Sequence, residues 1–246
     1  MTLNEEHDAY GHLLWNYWKE GRGQEIVERD DGLLDPSETL PAYYFAPYER
    51  WSERERRAMR FVRGKVLDVG CGAGRVALYL QKRGFDVVGI DLSPLAVRVC
   101  KLRGLRKVRV LPAAQIRKLK DEFDSVLMFG NNFGLFGSYE GGRAMLRDFC
   151  KVTSDDARII AESVDPHKTK DPAHLAYQRM NLRRGRMPGQ VRIRVRYRTY
   201  MTPWFDYLLV SKSEMRRLIA GTGWCIEHFL NSRGAPYIAV IRKVAK

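Results

Sequence analysis

Short apolar runs alternate with amphipathic segments through the middle of the chain. The amphipathic segments predict helices that end at glycines such as Gly84 and Gly104. Apolar runs of strand length between helices are typical of a parallel sheet with helices on both faces. We therefore predict an α/β fold built on a doubly wound, seven-stranded and mostly parallel sheet. Its strands are expected at residues 65–69, 86–90, 107–111, 123–129, 157–163, 224–230 and 235–243.

The segments outside this alternation suggest the domain organisation. Residues 1–48 are rich in aromatic side chains, and we expect short helices and loops there that pack on the core or cover a site. A capping box at Ser52 and Glu55 predicts a helix start, and a second box at Ser211 and Glu214 predicts another. We predict an N-terminal cap, a main domain and an insertion after the fifth strand, at residues 1–58, 59–246 and 164–206 respectively.

The insertion contains a strand pattern with an unusual polar face. In VRIRVRYR, residues 191–198, every second residue is arginine, so four arginines share one face of a strand and apolar residues share the other. One explanation is a half-buried strand with a solvated basic face. The other is a row of guanidinium groups that bind phosphates. The composition favours the second, because eight arginines and no acidic residue lie between Gln178 and Phe205 in a chain of net charge +14.

The composition argues against several other classes of protein. The chain has 246 residues and 45% hydrophobic content, which allows a sizeable core. Its four cysteines lie far apart without zinc-ligand spacing, so we expect no metal. No apolar run is long enough to span a membrane and the N-terminus does not resemble a signal peptide, so we expect a cytoplasmic protein. Few amides beside 29% charged residues resemble the amino-acid usage of thermophiles.

The strongest local motif is VLDVGCGAGR at residues 66–75, where a buried strand meets a helix. Glycines at such a junction allow a sharp turn and let a ligand approach the backbone. Asp68 lies at the strand end, and Asp91 at the end of the second strand could accept both ribose hydroxyls of an adenosine. A dinucleotide-binding turn is the alternative. However, the spacing is G-x-G-x-G, and Arg75 occupies the position where that fingerprint has glycine or alanine.

These residues resemble the class I S-adenosylmethionine-dependent methyltransferases, and the resemblance runs from Val66 to Ile241. It implies the class I methyltransferase fold, S-adenosylmethionine (SAM) as the cofactor and no metal. The glycine loop would face the methionine part of the cofactor, with Asp68 near its ammonium group and Asp91 on the ribose. The implied cofactor-binding residues are Asp68, Gly70, Cys71, Gly72, Gly74, Asp91, Leu92, Ala114, Gln115 and Gly130.

The adenine contact departs from the pattern of these enzymes. Leu92 would pack on the adenine ring, as the resemblance implies. The third strand often ends with an acidic residue for the adenine amine, but here Ala114 and Gln115 take that place. Gln115 could supply the contact with its side chain, or either residue with its backbone N–H.

The end of the fourth strand, FGNNFG at residues 129–134, would face the methyl acceptor in this fold. Methyltransferases of exocyclic base amines often carry Asn/Asp/Ser-Pro-Pro-aromatic there, and this turn resembles a shortened form without the prolines. An amide oxygen or a backbone carbonyl would orient the amine, and the phenylalanine would stack on the base. A polar turn that only caps the strand is the structural alternative, and small-molecule N-methyltransferases carry similar turns. The predicted catalytic residues are Asn131, Asn132 and Phe133.

The basic insertion favours an exocyclic base amine of structured RNA as the methyl acceptor. The chain also resembles archaeal methyltransferases proposed to dimethylate cytidine N4 in small-subunit ribosomal RNA, which implies ribosomal RNA as the partner. A small-molecule N-methyltransferase and a non-catalytic RNA-binding or ribosome-assembly factor are the alternatives. A monomer is favoured. The predicted RNA-binding residues are Arg183, Arg184, Arg186, Arg192, Arg194, Arg196 and Arg198.

Overall fold

The computed structural model describes residues 3–244. These residues form twelve β-strands and eight α-helices, with short 3-10 turns between several of them. The strands are β1 (Glu25–Arg29), β2 (Leu34–Ser37), β3 (Val66–Val69), β4 (Val87–Asp91), β5 (Val108–Val110), β6 (Phe123–Met128), β7 (Thr153–Val164), β8 (Gln190–Tyr197), β9 (Tyr200–Met201), β10 (Phe205–Leu208), β11 (Trp224–Asn231) and β12 (Pro236–Lys243). The helices are α1 (Ala9–Glu20), α2 (Leu40–Phe45), α3 (Glu53–Ala58), α4 (Arg75–Lys82), α5 (Pro94–Leu102), α6 (Tyr139–Phe149), α7 (Pro172–Arg183) and α8 (Lys212–Ile219).

Seven of the strands form the main sheet, in the order β11-β12-β7-β6-β3-β4-β5. Strand β4 runs parallel to β3 and β5, and β6 runs parallel to β7. Strand β12 pairs antiparallel with both β7 and β11. All side chains of β3 and β4 are buried, as expected for strands with helices on both faces. The predicted α/β fold class with a seven-stranded, mostly parallel sheet is confirmed.

The chain divides into two compact units, and the first contains the glycine motif. It consists of the described N-terminal residues up to Trp51, together with Lys65–Gln115 and Arg192–Phe205. Within this unit, Leu14 of helix α1 packs in a buried cluster with Ala73 and with residues of α5. The N-terminal helix is therefore part of the core that supports the glycine motif.

The second unit consists of Ser52–Gly64, Ile116–Val191 and the described residues from Asp206 onward. Both predicted capping boxes lie in this unit and are formed. The Ser52 hydroxyl accepts from the N–H of Glu55, whose carboxylate accepts from the Ser52 N–H in return, and the pair at the start of α8 repeats this arrangement. Each box satisfies two N–H groups that a helix start would otherwise leave unpaired.

The N-terminal segment differs from the prediction of helices and loops alone. Beside α1 and α2 it contains an antiparallel hairpin of β1 and β2, and β1 also pairs antiparallel with the arginine-rich strand β8. The prediction was wrong here because β2 reads LDPS, with a proline that strand patterns exclude except at an edge. The partner β8 lies far along the chain, so a local pattern does not reveal it.

The insertion also contains an element that the sequence analysis did not predict. Helix α7 begins at Pro172, and the side chain of Asp171 accepts from the N–H of Ala173 as its N-cap. Proline at the first helical position and aspartate before it are favourable there. Only Tyr177 and Asn181 of this helix are buried, so it has little of the apolar periodicity by which helices are predicted.

Candidate functional site

The loop after β3, residues 70–74 and here called the cofactor loop, leads into helix α4. Gly70, Gly72 and Gly74 have positive φ angles of 70°, 54° and 79°, a region that disfavours residues with a Cβ. The N–H groups of Gly70 and Cys71 both donate to the carbonyl of Ile90, at 2.9 and 3.0 Å. The glycines therefore meet a requirement of the backbone, and the loop is fastened to the end of β4.

Asp68 lies in β3 just before the cofactor loop and is 3% exposed. Its Oδ2 has no hydrogen-bond partner among the described residues. Burial raises the pKa of this carboxyl to about 7, although nearby Arg75 and the N–H of Ala77 act in the opposite direction. A buried carboxyl oxygen without a partner is unfavourable, and a cationic ligand group would remove that cost. The ammonium of SAM is such a group, so Asp68 fits its predicted role.

Asp91, at the end of β4, fixes the cofactor loop from the other side. Its Oδ2 accepts from the N–H of Gly72 at 2.8 Å, and its Oδ1 accepts from the N–H of Ser93 at 2.9 Å. Burial raises its pKa to about 6, against these hydrogen bonds. Each carboxylate oxygen has a second lone pair, so Asp91 can hold the loop and still accept from ribose hydroxyls. Leu92, predicted to pack on the adenine, is 37% exposed.

The predicted adenine contacts lie in the turn after β5. Ala114 is exposed and Gln115 is partly buried. The N–H of Gln115 donates to the carbonyl of Pro112 at 2.8 Å within this turn. Of the alternatives predicted for the adenine amine, the backbone N–H of Gln115 is therefore already used, which leaves its side chain and the backbone of Ala114.

Two thiols lie beneath the cofactor loop. Cys71 is 7% exposed, and its Sγ is 3.9 Å from the Sγ of Cys100, which is fully buried on α5. The Cys100 thiol donates to the carbonyl of Gly72 at 3.1 Å. Because the Cys71 side chain is directed into this packing, any contact that Cys71 makes with a cofactor is through its backbone.

Arg75, which stands where the dinucleotide fingerprint has glycine or alanine, contacts aromatic residues of the N-terminal segment. Its guanidinium carbon lies 4.1 Å from the ring centre of Tyr43 and 4.6 Å from that of Trp51. It also donates to the Tyr43 hydroxyl at 2.8 Å. The first helical residue after the loop thus binds the N-terminal segment by cation–π contacts. Sequence reasoning missed this use of the N-terminal aromatics, although their density was the available signal.

The predicted acceptor turn follows β6 in the second unit and has two consecutive left-handed residues. Gly130 and Asn131 have φ angles of 66° and 69°. The N–H of Gly130 donates to Glu162 Oε2 at 2.8 Å, and the carbonyl of Asn131 accepts from the Tyr207 hydroxyl at 2.6 Å. Glycine and asparagine adopt this conformation more readily than other residues, and the two hydrogen bonds support it. Glu162 and Tyr207, both missed by the sequence analysis, provide that support.

The side chains of the turn differ in what they can contact. The Oδ1 atom of Asn131 is buried and has no hydrogen-bond partner among the described residues. Asn132 begins the 3-10 turn that follows and is partly buried. Phe133 is 0% exposed and packs edge-on against Phe136, with ring centres 4.7 Å apart. The prediction that Phe133 stacks on a substrate base is therefore wrong, because its ring belongs to the core.

In strand β8, apolar residues and arginines alternate between two faces, as predicted. The arginines, however, do not form a row of free cations. Val195 and Tyr197 are buried against Ala9 and Leu13 of α1. On the opposite face, Arg194 pairs with Glu28 of β1 through two hydrogen bonds of 2.7 and 3.0 Å. The composition of residues 178–205, which contain no acidic residue, did not reveal this pair, because the compensating carboxylate comes from a hairpin far away in sequence.

The other predicted RNA-binding arginines lie in several different environments. Arg196 donates to Glu28 at 3.2 Å. Arg198 is exposed, and its nearest carboxylate is that of Glu20 at 3.8 Å. Arg186 and Arg192 are partly buried, whereas Arg183 and Arg184 are exposed at the end of α7. Only some of the seven are therefore open to a partner.

The described residues also bear on metals and membranes. No group of three or more histidine, cysteine, aspartate or glutamate side chains within residues 3–244 is placed to hold a metal ion. None of the helices in that range has the length and apolar character needed to cross a bilayer.

Comparisons with known proteins show which proteins this chain is similar to. Residues 66–156 match the family model described as a methyltransferase domain. A putative methyltransferase of Geobacillus sp. (strain WCH70) is 44% identical over 138 residues, which cover 53% of this chain and 55% of that protein. The glycine/sarcosine N-methyltransferase of Aphanothece halophytica is 29% identical over 104 residues, 40% of this chain and 39% of the relative. The chain thus spans about half the length, or less, of these relatives.

A solved structure extends the likeness to the whole chain. The SAM-dependent methyltransferase from Bacteroides fragilis, in complex with S-adenosylhomocysteine, is 25% identical and superposes with a TM-score of 0.85. The match covers 100% of this chain and 98% of that one. The chain thus has the class I methyltransferase fold, and the matched domain together with the structure that holds S-adenosylhomocysteine supports a SAM-dependent methyltransferase with SAM as its cofactor.

Proposed function

We propose that this protein methylates a nitrogen atom of a small amine. When bound, SAM supplies a methyl group activated by its sulfonium. The contribution of the chain begins with orientation of that cofactor: Asp68 binds the ammonium, Asp91 binds the ribose, and the glycines of the cofactor loop let the backbone approach.

The environment of the Asn131 side chain is the observation that favours nitrogen as the methyl acceptor. Its buried Oδ1 has no partner among the described residues and can only accept a hydrogen bond. An amine that donates one N–H to this oxygen keeps its lone pair free and pointing in a fixed direction. A hydroxyl acceptor would also need a base to remove its single proton, and an amide cannot serve as one.

The chemistry then needs alignment and exclusion of water more than acid–base catalysis. The amine nitrogen would take up the methyl group that SAM supplies and would lose its excess proton to water. Asn131 accepts a hydrogen bond from the amine and fixes the direction of its lone pair, and Glu162 and Tyr207 keep the turn in its left-handed conformation. No nucleophilic cysteine or histidine is required.

Two observations support a small amine over a nucleic acid. Glu28 engages Arg194 and Arg196, so the middle of the proposed phosphate-binding row is compensated within the chain. In addition, the partial relative from Aphanothece halophytica is named for glycine and sarcosine, which are small amines.

A base amine of structured RNA, such as cytidine N4 of ribosomal RNA, is the second candidate. Exposed Arg183 and Arg184 and the net charge of +14 favour it, because exposed arginines without carboxylates nearby attract phosphates.

The acceptor class can be tested with SAM that carries a labelled methyl group and a cell extract divided into low-molecular-mass and RNA fractions. We expect label in a low-mass amine, strongly reduced in Asn131→Ala and unchanged in the control Asn231→Ala, which removes an exposed amide at the end of β11. Label found only in RNA would contradict the small amine and favour the second candidate, a base amine of RNA. No transfer to either fraction would contradict the proposed function.

A further inference from the structure

Tyr10, in the first turn of α1, lies directly against the cofactor loop. Its hydroxyl is 2.7 Å from the position that a Cβ on Gly72 would occupy, so a side chain at residue 72 would collide with it. The ring is partly buried and packs edge-on against Tyr44, with ring centres 5.3 Å apart. Among the described residues, the Tyr10 hydroxyl has no hydrogen-bond partner.

The helix that carries Tyr10 is held in place by one buried carboxylate. Asp8 accepts from the N–H of Gly11 at 3.0 Å, which caps α1, and from the Ser93 hydroxyl at 2.9 Å and the N–H of Leu95 at 3.1 Å at the start of α5. A Cβ at Gly11 would lie 2.3 Å from the Ser93 Oγ. The start of α1 is therefore fixed next to Asp91, which precedes Ser93 by two residues.

On the side of the cofactor site that faces Tyr10, Asp68 and Asp91 provide hydrogen-bond acceptors, and a hydrogen-bond donor is needed. Asp68 and Asp91 are both carboxylates, and they suit the ammonium and the hydroxyl groups of SAM. The carboxylate of the methionine part requires the opposite, an N–H or O–H group directed toward the cofactor loop. A tyrosine hydroxyl is a suitable donor, and charge-assisted hydrogen bonds of this kind are the stronger class.

We propose that the Tyr10 hydroxyl binds SAM directly, by donating a hydrogen bond to its carboxylate, and that helix α1 forms one wall of the cofactor site. This inference rests on the use of SAM in the proposed function. Burial, together with the nearby carboxylates of Asp91 and Glu25, raises the pKa of Tyr10 well above its usual value. The phenol therefore stays neutral and able to donate at physiological pH.

Calorimetric binding of two ligands tests the proposal without an acceptor. SAM and decarboxylated SAM differ by the carboxylate that Tyr10 would bind. We expect Tyr10→Phe to weaken SAM binding about tenfold and to leave the binding of decarboxylated SAM within about twofold of the wild type. The matched control is Tyr17→Phe, which removes a hydroxyl on the same helix, where the ring packs on Phe45. That change should affect neither ligand.

The outcomes separate this inference from the proposed function. Equal SAM affinity in Tyr10→Phe and wild type would overturn it, and so would an equal loss for both ligands, because the contact would then not involve the carboxylate. Wild-type protein that binds neither ligand would instead contradict the use of SAM. Circular dichroism and thermal unfolding of Tyr10→Phe will establish that a loss of affinity does not come from loss of the fold.

Discussion

The cofactor loop and the paired segments of strands β1 and β8 (residues 26–29 and 193–196), all in the first unit, contain charged residues in contrasting states. At the loop, Asp68 is buried with an oxygen that no described residue satisfies. Between the strands, Glu28 lies directly opposite Arg194 and also accepts from Arg196, in a partly buried position. The first arrangement is unfavourable until a cationic ligand arrives, and the second is complete without one. A charge that the fold leaves uncompensated therefore indicates a binding site better than the number of charges does.

The largest effect is expected from Asp68→Asn. The change keeps the size of the side chain but removes the charge that would bind an ammonium, so S-adenosylhomocysteine should bind about 100-fold more weakly. The thermal unfolding temperature of the cofactor-free protein should not fall, because a desolvated carboxylate is removed at the same time. Calorimetry and thermal unfolding at pH 8 will measure the two effects. A lower unfolding temperature together with wild-type affinity would mean that Asp68 stabilises the fold and does not bind the ligand.

The pH dependence of the cofactor loop gives a second test. Burial raises the pKa of Asp68 to about 7 and that of Asp91 to about 6, both above the ordinary value of 3.8. The folded protein therefore binds more protons than the unfolded chain between about pH 4 and pH 7, and the stability of the cofactor-free protein should fall as the pH rises through that range.

Ligand binding should show the opposite trend. Because the ammonium needs an ionised Asp68, the affinity for S-adenosylhomocysteine should rise about tenfold between pH 6 and pH 8. Titrations across this range will measure the trend, and Asp68→Asn should flatten most of it. An affinity independent of pH in the wild type would show that Asp68 is already ionised without the ligand.

The contrast between these regions also explains which features could be predicted from the sequence. The cofactor loop was visible because everything that forces its shape lies within a few residues of Gly70, Gly72 and Gly74. The pairing of Glu28 with Arg194 joins residues 166 positions apart. No local pattern carries that information, so the arginines looked uncompensated.

The acceptor turn shows the same division between local features, which the sequence reveals, and distant partners, which it does not. Its asparagines were visible as a polar turn after a strand, but its supports were not. Tyr207 is 76 residues from Asn131, and Glu162 is 32 residues from Gly130. The burial of Phe133 was missed because an aromatic residue in a turn gives no sign of which way its ring points. Composition and periodicity predict elements and motifs, whereas the partners of each charge depend on tertiary structure.

A smaller effect is expected from Glu28→Gln. The side chain of Glu28 is 14% exposed and those of its partners Arg194 and Arg196 are 24% and 40% exposed, so water reaches the pairs and screens them. We expect the unfolding temperature to fall by no more than about 3 °C and the affinity for S-adenosylhomocysteine to stay unchanged. Glu53→Gln, which removes an exposed carboxylate 4.0 Å from Arg57, is the matched control. A large loss of cofactor affinity in Glu28→Gln would mean that the strand pair serves the cofactor site.

The smallest effect is expected when both paired arginines are removed and RNA binding is measured. If Arg194 and Arg196 serve the fold through Glu28, the double variant Arg194→Ser/Arg196→Ser should retain RNA affinity within about threefold. Each phosphate contact that is lost would reduce the dependence of log affinity on log salt concentration by about one unit. We therefore expect this slope to change by less than one unit in filter-binding titrations at several salt concentrations. The control Arg183→Ser/Arg184→Ser removes two exposed arginines instead. A slope that drops by about two units in the first variant would show that the arginines exchange Glu28 for phosphates when RNA binds, and the contrast between the two regions would then no longer distinguish a binding surface from a structural one.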